Sequence, residues 1–154
     1  MKLTVACIAK AQKDAYALEC DHFCKLARSL RATLEVRELF NKEVAKGHAS
    51  GLAGQSQKAY TQLFVPLLGA CAIALDPEGK SLDSFEFAAL LDHKREVCFF
   101  IGGAYGLEQS FLSRCHHVVS LSPMTFSHKL AKLVLCEQIY RGLSILGGHP
   151  YHKE

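Results

Sequence analysis

The chain has 154 residues, of which 49% are apolar, with 18 Lys plus Arg against 15 Asp plus Glu. That length suits one domain with its own core and leaves no room for separate catalytic and binding domains of ordinary size. The apolar fraction, 11 glycines and 4 prolines exclude a disordered tail, a collagen-like chain and a low-complexity solenoid, and a net charge of +3 excludes a histone-like chain while leaving RNA contact through a local patch open.

Residues 3–9 form a short apolar run followed by Lys10, Lys13 and Asp14. This lacks a full signal-peptide core and predicts a buried first strand. Residues 14–30 carry Tyr16, Phe23, Leu26, Ala27 and Leu30 at helical spacing. Residues 32–39 alternate, predicting a strand with one wet face. The polar stretch 41–54, with Lys42, Lys46 and His48, reads as a mobile loop. Residues 55–67 are helix-compatible, with Pro66 near the end. Residues 71–75 predict a second buried strand, Asp76-Pro77-Glu78-Gly79-Lys80 a turn, and Ser81 the cap of a helix reaching about residue 93. Residues 97–101 predict another buried strand, followed by Gly102-Gly103-Ala104-Tyr105-Gly106 and a short helix from about Leu107. A short strand over 118–121, a loop over 122–127 and a long helix over about 128–145 complete the chain, and Gly147-Gly148-His149-Pro150 stops that helix. No run approaches the length of a membrane span.

Strands alternating with helices predict an α/β fold, a mostly parallel sheet flanked by helices. Three of the strands end in loops that begin at Asp76, Gly102 and Ser122. In an open parallel sheet, ligands bind beyond the carboxyl ends of strands. These loops therefore nominate one shared site, provided their strands are neighbours.

The glycine loop fits neither the dinucleotide fingerprint nor the phosphate loop, and no Lys-Ser or Lys-Thr pair follows it. It is either a tight strand-to-helix turn or a ligand contact. The seven cysteines form no C-x-x-C and mostly sit in apolar runs, such as Gly69-Ala70-Cys71. They read as free thiols packed as small hydrophobes in a reducing compartment. His116 and His117 are adjacent and would face opposite ways in a strand, which argues against shared metal ligation. Asp76 and Glu78 read as part of a polar turn. The final segment places His149, Tyr151, His152 and Lys153 together. It is either a frayed end or a group suited to stack on a base and contact phosphate.

Taken in order, several segments closely resemble the RlmH family, the ribosomal RNA large-subunit methyltransferase H proteins of the SPOUT class. They are Met1-Lys2-Leu3, the 75–80 turn, Phe100-Ile101-Gly102-Gly103-Ala104-Tyr105-Gly106-Leu107, Leu121-Ser122-Pro123-Met124-Thr125-Phe126-Ser127-His128, Glu137-Gln138-Ile139-Tyr140-Arg141 and His149-Pro150-Tyr151-His152-Lys153-Glu154. The resemblance covers essentially the whole chain. It implies a single SPOUT domain over residues 1–154 with a trefoil knot over about 71–154. The implied cofactor is S-adenosyl-L-methionine, held by Leu75, Gly103, Ser122, Pro123, Met124, Thr125, Phe126 and Ser127. It implies a cytoplasmic homodimer that methylates N3 of a pseudouridine in helix 69 of 23S rRNA. The substrate is the assembled 70S ribosome, with no DNA, membrane or metal partner. The last helix offers Leu130, Leu133, Val134 and Ile139 either to the two-fold interface or to the core.

On this resemblance His152 is the first candidate for a base or base-positioning group, Tyr151 for orienting or stacking on the pseudouridine, and Arg141 and Lys153 for neutralising charge. These residues are expected to act on the partner's cofactor. His128 is placed to touch substrate or simply to start the helix. Many relatives carry Gly-Pro-Glu-Gly where this chain has Gly103-Ala104-Tyr105-Gly106, so no carboxylate role transfers there. Lys129 stands where many have proline. Lys153 replaces a commoner arginine, keeping charge and losing the bidentate fork. The rival readings are a SPOUT enzyme acting on another RNA base or a ribose, and a ribosome-binding protein without catalysis.

Overall fold

The computed structural model describes residues 1–69 and 71–153; Ala70 and Glu154, each part of a segment quoted above, lie outside the described residues. The chain runs β1 (Lys2–Ile8), α1 (Ala15–Ser29), β2 (Thr33–Leu39), α2 (Lys42–Ser50), α3 (Ala53–Phe64), a 3-10 turn (Val65–Leu67), β3 (Ala72–Ser81), α4 (Ser84–Leu91), β4 (Glu96–Ile101), α5 (Gln109–Leu112), β5 (His117–Ser120) and α6 (His128–Leu146). The strands form one parallel sheet in the order β2-β1-β4-β3-β5.

Strand alternation divides the interior into two cores, one on each face of the sheet. Leu3, Val5 and Cys7 of β1 and Val97, Phe99 and Ile101 of β4 point one way and pack with Phe87, Leu91, Leu135 and Ile139 of α4 and α6. Ala6, Ile8, Cys98 and Phe100 point the other way and meet Val44, Tyr60, Phe64 and Phe111 of α2, α3 and α5. Small alanines at positions 6, 72 and 74 leave room on that second face for the rings of Phe64, Phe100 and Phe111, whose centroids lie 5.1–5.6 Å apart. Among the described residues all seven cysteines are free thiols. Burial pushes Cys7 and Cys98 up to about 12, so both stay protonated and behave as apolar groups.

Three local expectations are corrected. Residues 41–54 are not a mobile loop: α2 occupies most of them. The Asn41 side chain accepts from the Val44 amide at 2.9 Å and Gly51 closes the helix with φ 69°. Its polar face is wide because α2 buries only Val44 and Gly47, which hid the helical period. The cap of α4 is Asp83 and not Ser81. Asp83 and Glu86 form a reciprocal capping box, and α4 ends at Leu91. Ser81 instead ends β3, which resumes after the turn. Leu75 and Lys80 both pair with Val119, so residues 76–79 are looped out of the ladder. The Asp76 side chain closes that loop by accepting from the Glu78 amide at 2.9 Å. A Cβ on Gly79 would lie 2.7 Å from the Val119 carbonyl carbon, so glycine permits the close return to β5.

Candidate active site

Because β4, β3 and β5 are neighbours, their three carboxyl-end loops meet. They enclose a cavity of about 450 Å³. Leu75, Ile101, Leu121 and Phe126 give it apolar walls, and the backbone of residues 102–104 and 106 gives polar edges. Among the described residues Asp76 is the one carboxylate in its wall, and His128 and Ala131 close the side formed by α6. The 121–127 loop fixes itself. Ser120 Oγ donates to the Ser122 carbonyl at 3.0 Å, Ser122 Oγ accepts from the Met124 amide at 3.0 Å, and Ser127 Oγ caps α6 by accepting from Leu130 at 3.3 Å. Met124 is 71% exposed at the mouth.

The glycine loop is held from beneath by the α2–α3 hairpin. Tyr60 is fully buried, and a Cβ on Gly103 would sit 2.6 Å from both its Cζ and its hydroxyl. That hydroxyl lies 2.6 Å from His48 Nε2, and Gln57 Nε2 donates to the Tyr105 carbonyl at 2.8 Å. Gly106, at φ 68°, turns the chain back so that its amide reaches the Gly103 carbonyl at 3.0 Å. The missing side chain at position 103 thus makes room for Tyr60, while the loop's other side faces the cavity.

The C-terminal residues gather elsewhere. Glu137 on α6 is their hub: its Oε1 accepts from Arg141 Nη2 at 2.6 Å and from the Tyr151 hydroxyl at 3.1 Å. The Arg141 guanidinium lies 4.9 Å from the Tyr151 ring centre, and Tyr140 packs edge-on against Tyr151 at 4.7 Å. Arg141 Nη1 stands 3.2 Å from His152 Nδ1, and Phe85 of α4 meets the His152 ring edge-on at 5.0 Å. Burial, reinforced by Glu137, pushes the Tyr151 phenol above its usual range, so it is a protonated donor at neutral pH. With Nδ1 accepting from Arg141, a neutral His152 carries its proton on Nε2 and also presents a donor. Arg141 follows Ala131 by ten positions on α6, about 15 Å along the helix axis. Among the described residues, none of the tail lines the cavity.

The family model described as "Predicted SPOUT methyltransferase" matches residues 1–152. A Wolinella succinogenes protein named ribosomal RNA large subunit methyltransferase H is 53% identical, over 99% of this chain and 100% of that one. A protein of the same name from Aliarcobacter butzleri is 46% identical, over 99% and 100%. The chain belongs to the RlmH family of SPOUT methyltransferases. Two solved structures share the fold at low identity. A probable methylase family protein from Haemophilus influenzae Rd KW20 superimposes with a TM-score of 0.55 at 9% identity, over 99% of this chain and 70% of that one. A putative RNA methyltransferase from Bacillus anthracis gives 0.50 at 13%, over 100% and 99%.

Of the cofactor residues expected from the RlmH resemblance, Leu75, Gly103, Ser122, Met124, Thr125, Phe126 and Ser127 line the cavity, and Pro123 does not. His128 lines it too; the helix-start hydrogen bond considered for His128 belongs to Ser127. Arg141, Tyr151 and His152 form the separate cluster, and Lys153 is exposed with no ion pair among the described residues. Asp76, Gly102 and Ser122, the loop starts nominated as one shared site, all line the cavity. Sequence reasoning missed Ile101 and Ala131 as wall residues. Ile101 adjoins a chosen strand end, so its signal was position. Ala131 is one helical turn beyond His128, and only the packing of α6 reveals it. Tyr60, His48 and Gln57 carried no sequence signal, because their segment was read as part loop and part plain helix. Among the described residues no group of His, Cys, Asp or Glu could hold a metal ion. His116 instead uses Nδ1 to accept from the Ala72 amide at 3.0 Å.

Proposed function

We propose that this RlmH-family chain is an S-adenosylmethionine-dependent methyltransferase. Its substrate is N3 of a pseudouridine in helix 69 of 23S rRNA, within the assembled 70S ribosome in the cytoplasm. The observation that carries the reading is the cavity at the ends of β4, β3 and β5 in a chain matched end to end by relatives of that name. The cavity suits the cofactor. Leu75, Ile101, Leu121 and Phe126 can enclose an adenine ring, and backbone groups of both loops can read its edges. Asp76 complements positive charge. When bound there, the cofactor supplies a methyl group on a cationic sulfur.

The chain's own residues must orient the uracil-type ring, share its N3 proton and stabilise charge that develops on its carbonyl oxygens. His152 presents an Nε2 donor, which suits it to the last task; Tyr151, whose one hydroxyl proton goes to Glu137, is suited to orienting or stacking on the ring, while Arg141 and Lys153 add positive charge. His128, at the cavity wall, is placed to touch the ring. Along α6 from the cavity wall at Ala131, Arg141 lies about 15 Å away and Glu137, which holds Tyr151, about 9 Å away. This separation supports a homodimer in which one subunit's tail completes its partner's site. Leu130 and Phe85 are exposed, and Leu133 and Val134 half-buried, as a two-fold interface on α6 and α4 requires; Ile139 is wholly core. One domain spans the chain, with a trefoil knot over about 71–154. The looped-out 76–79 segment and the convergence of the loops after β3, β4 and β5 on one cavity support that threading.

The test has two stages. Calorimetry should detect S-adenosylmethionine binding. Incubation with undermethylated 70S ribosomes should then place one methyl group on a helix 69 pseudouridine, located by mapping the modified nucleotide. Absence of cofactor binding would overturn the enzyme reading, and methylation confined to free subunits or transfer RNA would overturn the substrate.

A further inference from the structure

A second cleft, of about 350 Å³, opens beside the cofactor cavity at the carboxyl ends of β1 and β2. His128 belongs to the walls of both. Three ammonium groups reach the cleft, from Lys10, Lys129 and Lys132. Two of them are matched. Lys129 bonds Asp14 and Gln12, each at 2.6 Å, tying the start of α6 to the start of α1. Lys132, 5% exposed, is paired with Glu38. Lys10 makes no ion pair among the described residues. Its ammonium is instead held 4.8 Å from the centre of the Phe40 ring, whose edge meets His48. Among the described residues, three lysines against two carboxylates leave the cleft one formal positive charge, set on Lys10. His48 and His128 add ring nitrogens beside it.

We propose that this cleft is a phosphodiester subsite, which takes the backbone phosphate next to the target nucleotide and so registers the RNA strand on the methyl-donor cavity. One surplus cation with neighbouring ring N–H donors matches one monoanionic phosphodiester. The shared wall at His128 places such a phosphate beside a base that enters the cavity. His48 also bonds Tyr60, on which Gly103 rests, so the two sites share a support. The proposal rests on the RNA methyltransferase reading above.

Lys10→Gln tests it, because that change removes the surplus charge from an exposed residue and keeps a polar side chain there. In ribosome methylation KM should rise roughly five- to tenfold with kcat little changed. The slope of log kcat/KM against log salt should flatten by roughly 0.7 to 1, the signature of one lost phosphate contact. Cofactor affinity should stay the same and Lys10→Arg should restore the wild-type slope. An unchanged KM and slope would overturn the proposal. So would weakened cofactor binding, which would make the cleft part of the cofactor site. A second measurement does not depend on methylation: an NMR titration of the cofactor-loaded enzyme with the dinucleotide UpU, which carries one phosphodiester. Amide shifts at Lys10, His48 and Lys129 that vanish in Lys10→Gln support the subsite, even if ribosomes prove not to be the substrate. Shifts with inorganic phosphate but not with UpU would overturn it in favour of a free-anion site.

Discussion

At the carboxyl ends of β4, β3 and β5 the cavity is walled by backbone and by Leu75, Ile101, Leu121 and Phe126. The cluster at the far end of α6 is made instead of Arg141, Glu137, Tyr151 and His152, joined by charge-assisted bonds. The first region is rigid for reasons internal to the sheet: parallel strands fix the loop origins and Tyr60 props the glycine loop. The second is fastened by side chains on a helix surface, and such bonds are remade at modest cost. The proposed function puts cofactor binding on the first region and substrate chemistry on the second.

The broadest effect, on stability and cofactor binding together, should come from breaking the half built on the sheet. Gly103→Ala drives a methyl group into the Tyr60 ring at 2.6 Å. It should cost about 1–3 kcal/mol of stability in thermal melts. Displacing the loop by even ~1 Å should weaken cofactor binding about 100-fold by calorimetry. An unchanged dissociation constant would show that the loop does not depend on Tyr60.

Next comes the tail. Arg141→Ala should leave cofactor affinity intact and lower kcat by roughly 10²–10³-fold, as expected for loss of a group that meets developing charge. Mixing Arg141→Ala with Gly103→Ala subunits sharpens the comparison. If one chain's tail serves its partner's cavity, mixed dimers should recover activity that neither parent has. No recovery would place both functions in one chain.

Two smaller effects are set by pH. Tyr151 has its pKa raised in the folded protein, so its bond to Glu137 contributes below about pH 10, the ordinary tyrosine value. That contribution fades as pH rises through the folded pKa. Ultraviolet titration of the phenols should show late transitions from the buried Tyr60 and from Tyr151, and Tyr151→Phe should remove one of them. The same variant should slow turnover by roughly two- to tenfold. Asp14 shows the opposite sign. Its bond from Lys129 and the Ala17 amide hold its carboxyl below the usual range. Its contribution is therefore present above about pH 4, the ordinary aspartate region, and is lost as pH falls through the folded value. Melting curves in acid should converge for wild type and Asp14→Asn, and separate towards neutrality.

Much of the fold was legible because burial imposes simple periods. The apolar runs of β1, β3 and β4 and the long helix ending at Gly147 follow from which faces are covered. The α2 helix was not legible, because with two buried positions its period is too faint, although Asn41 and Gly51 marked both its ends. The capping box of Asp83 and Glu86 was likewise written in the chain, but Ser81 offered a competing cap until β3 claimed it for the ladder.

The sequence by itself determined the parallel α/β architecture, the three strand-end loops that meet as a cavity, and the family resemblance, since each rests on local pattern or ordered motifs. Tertiary structure alone decided that Tyr60 supports Gly103, that Pro123 is left out of the cavity wall, that Lys10 is left as the surplus cation of a second cleft, and that Arg141, Tyr151 and His152 cluster around Glu137 outside the cavity lining. These are relations between residues distant in sequence. They depend on which strands lie side by side and on how far a helix of 1.5 Å per residue carries its side chains, and no local pattern encodes either.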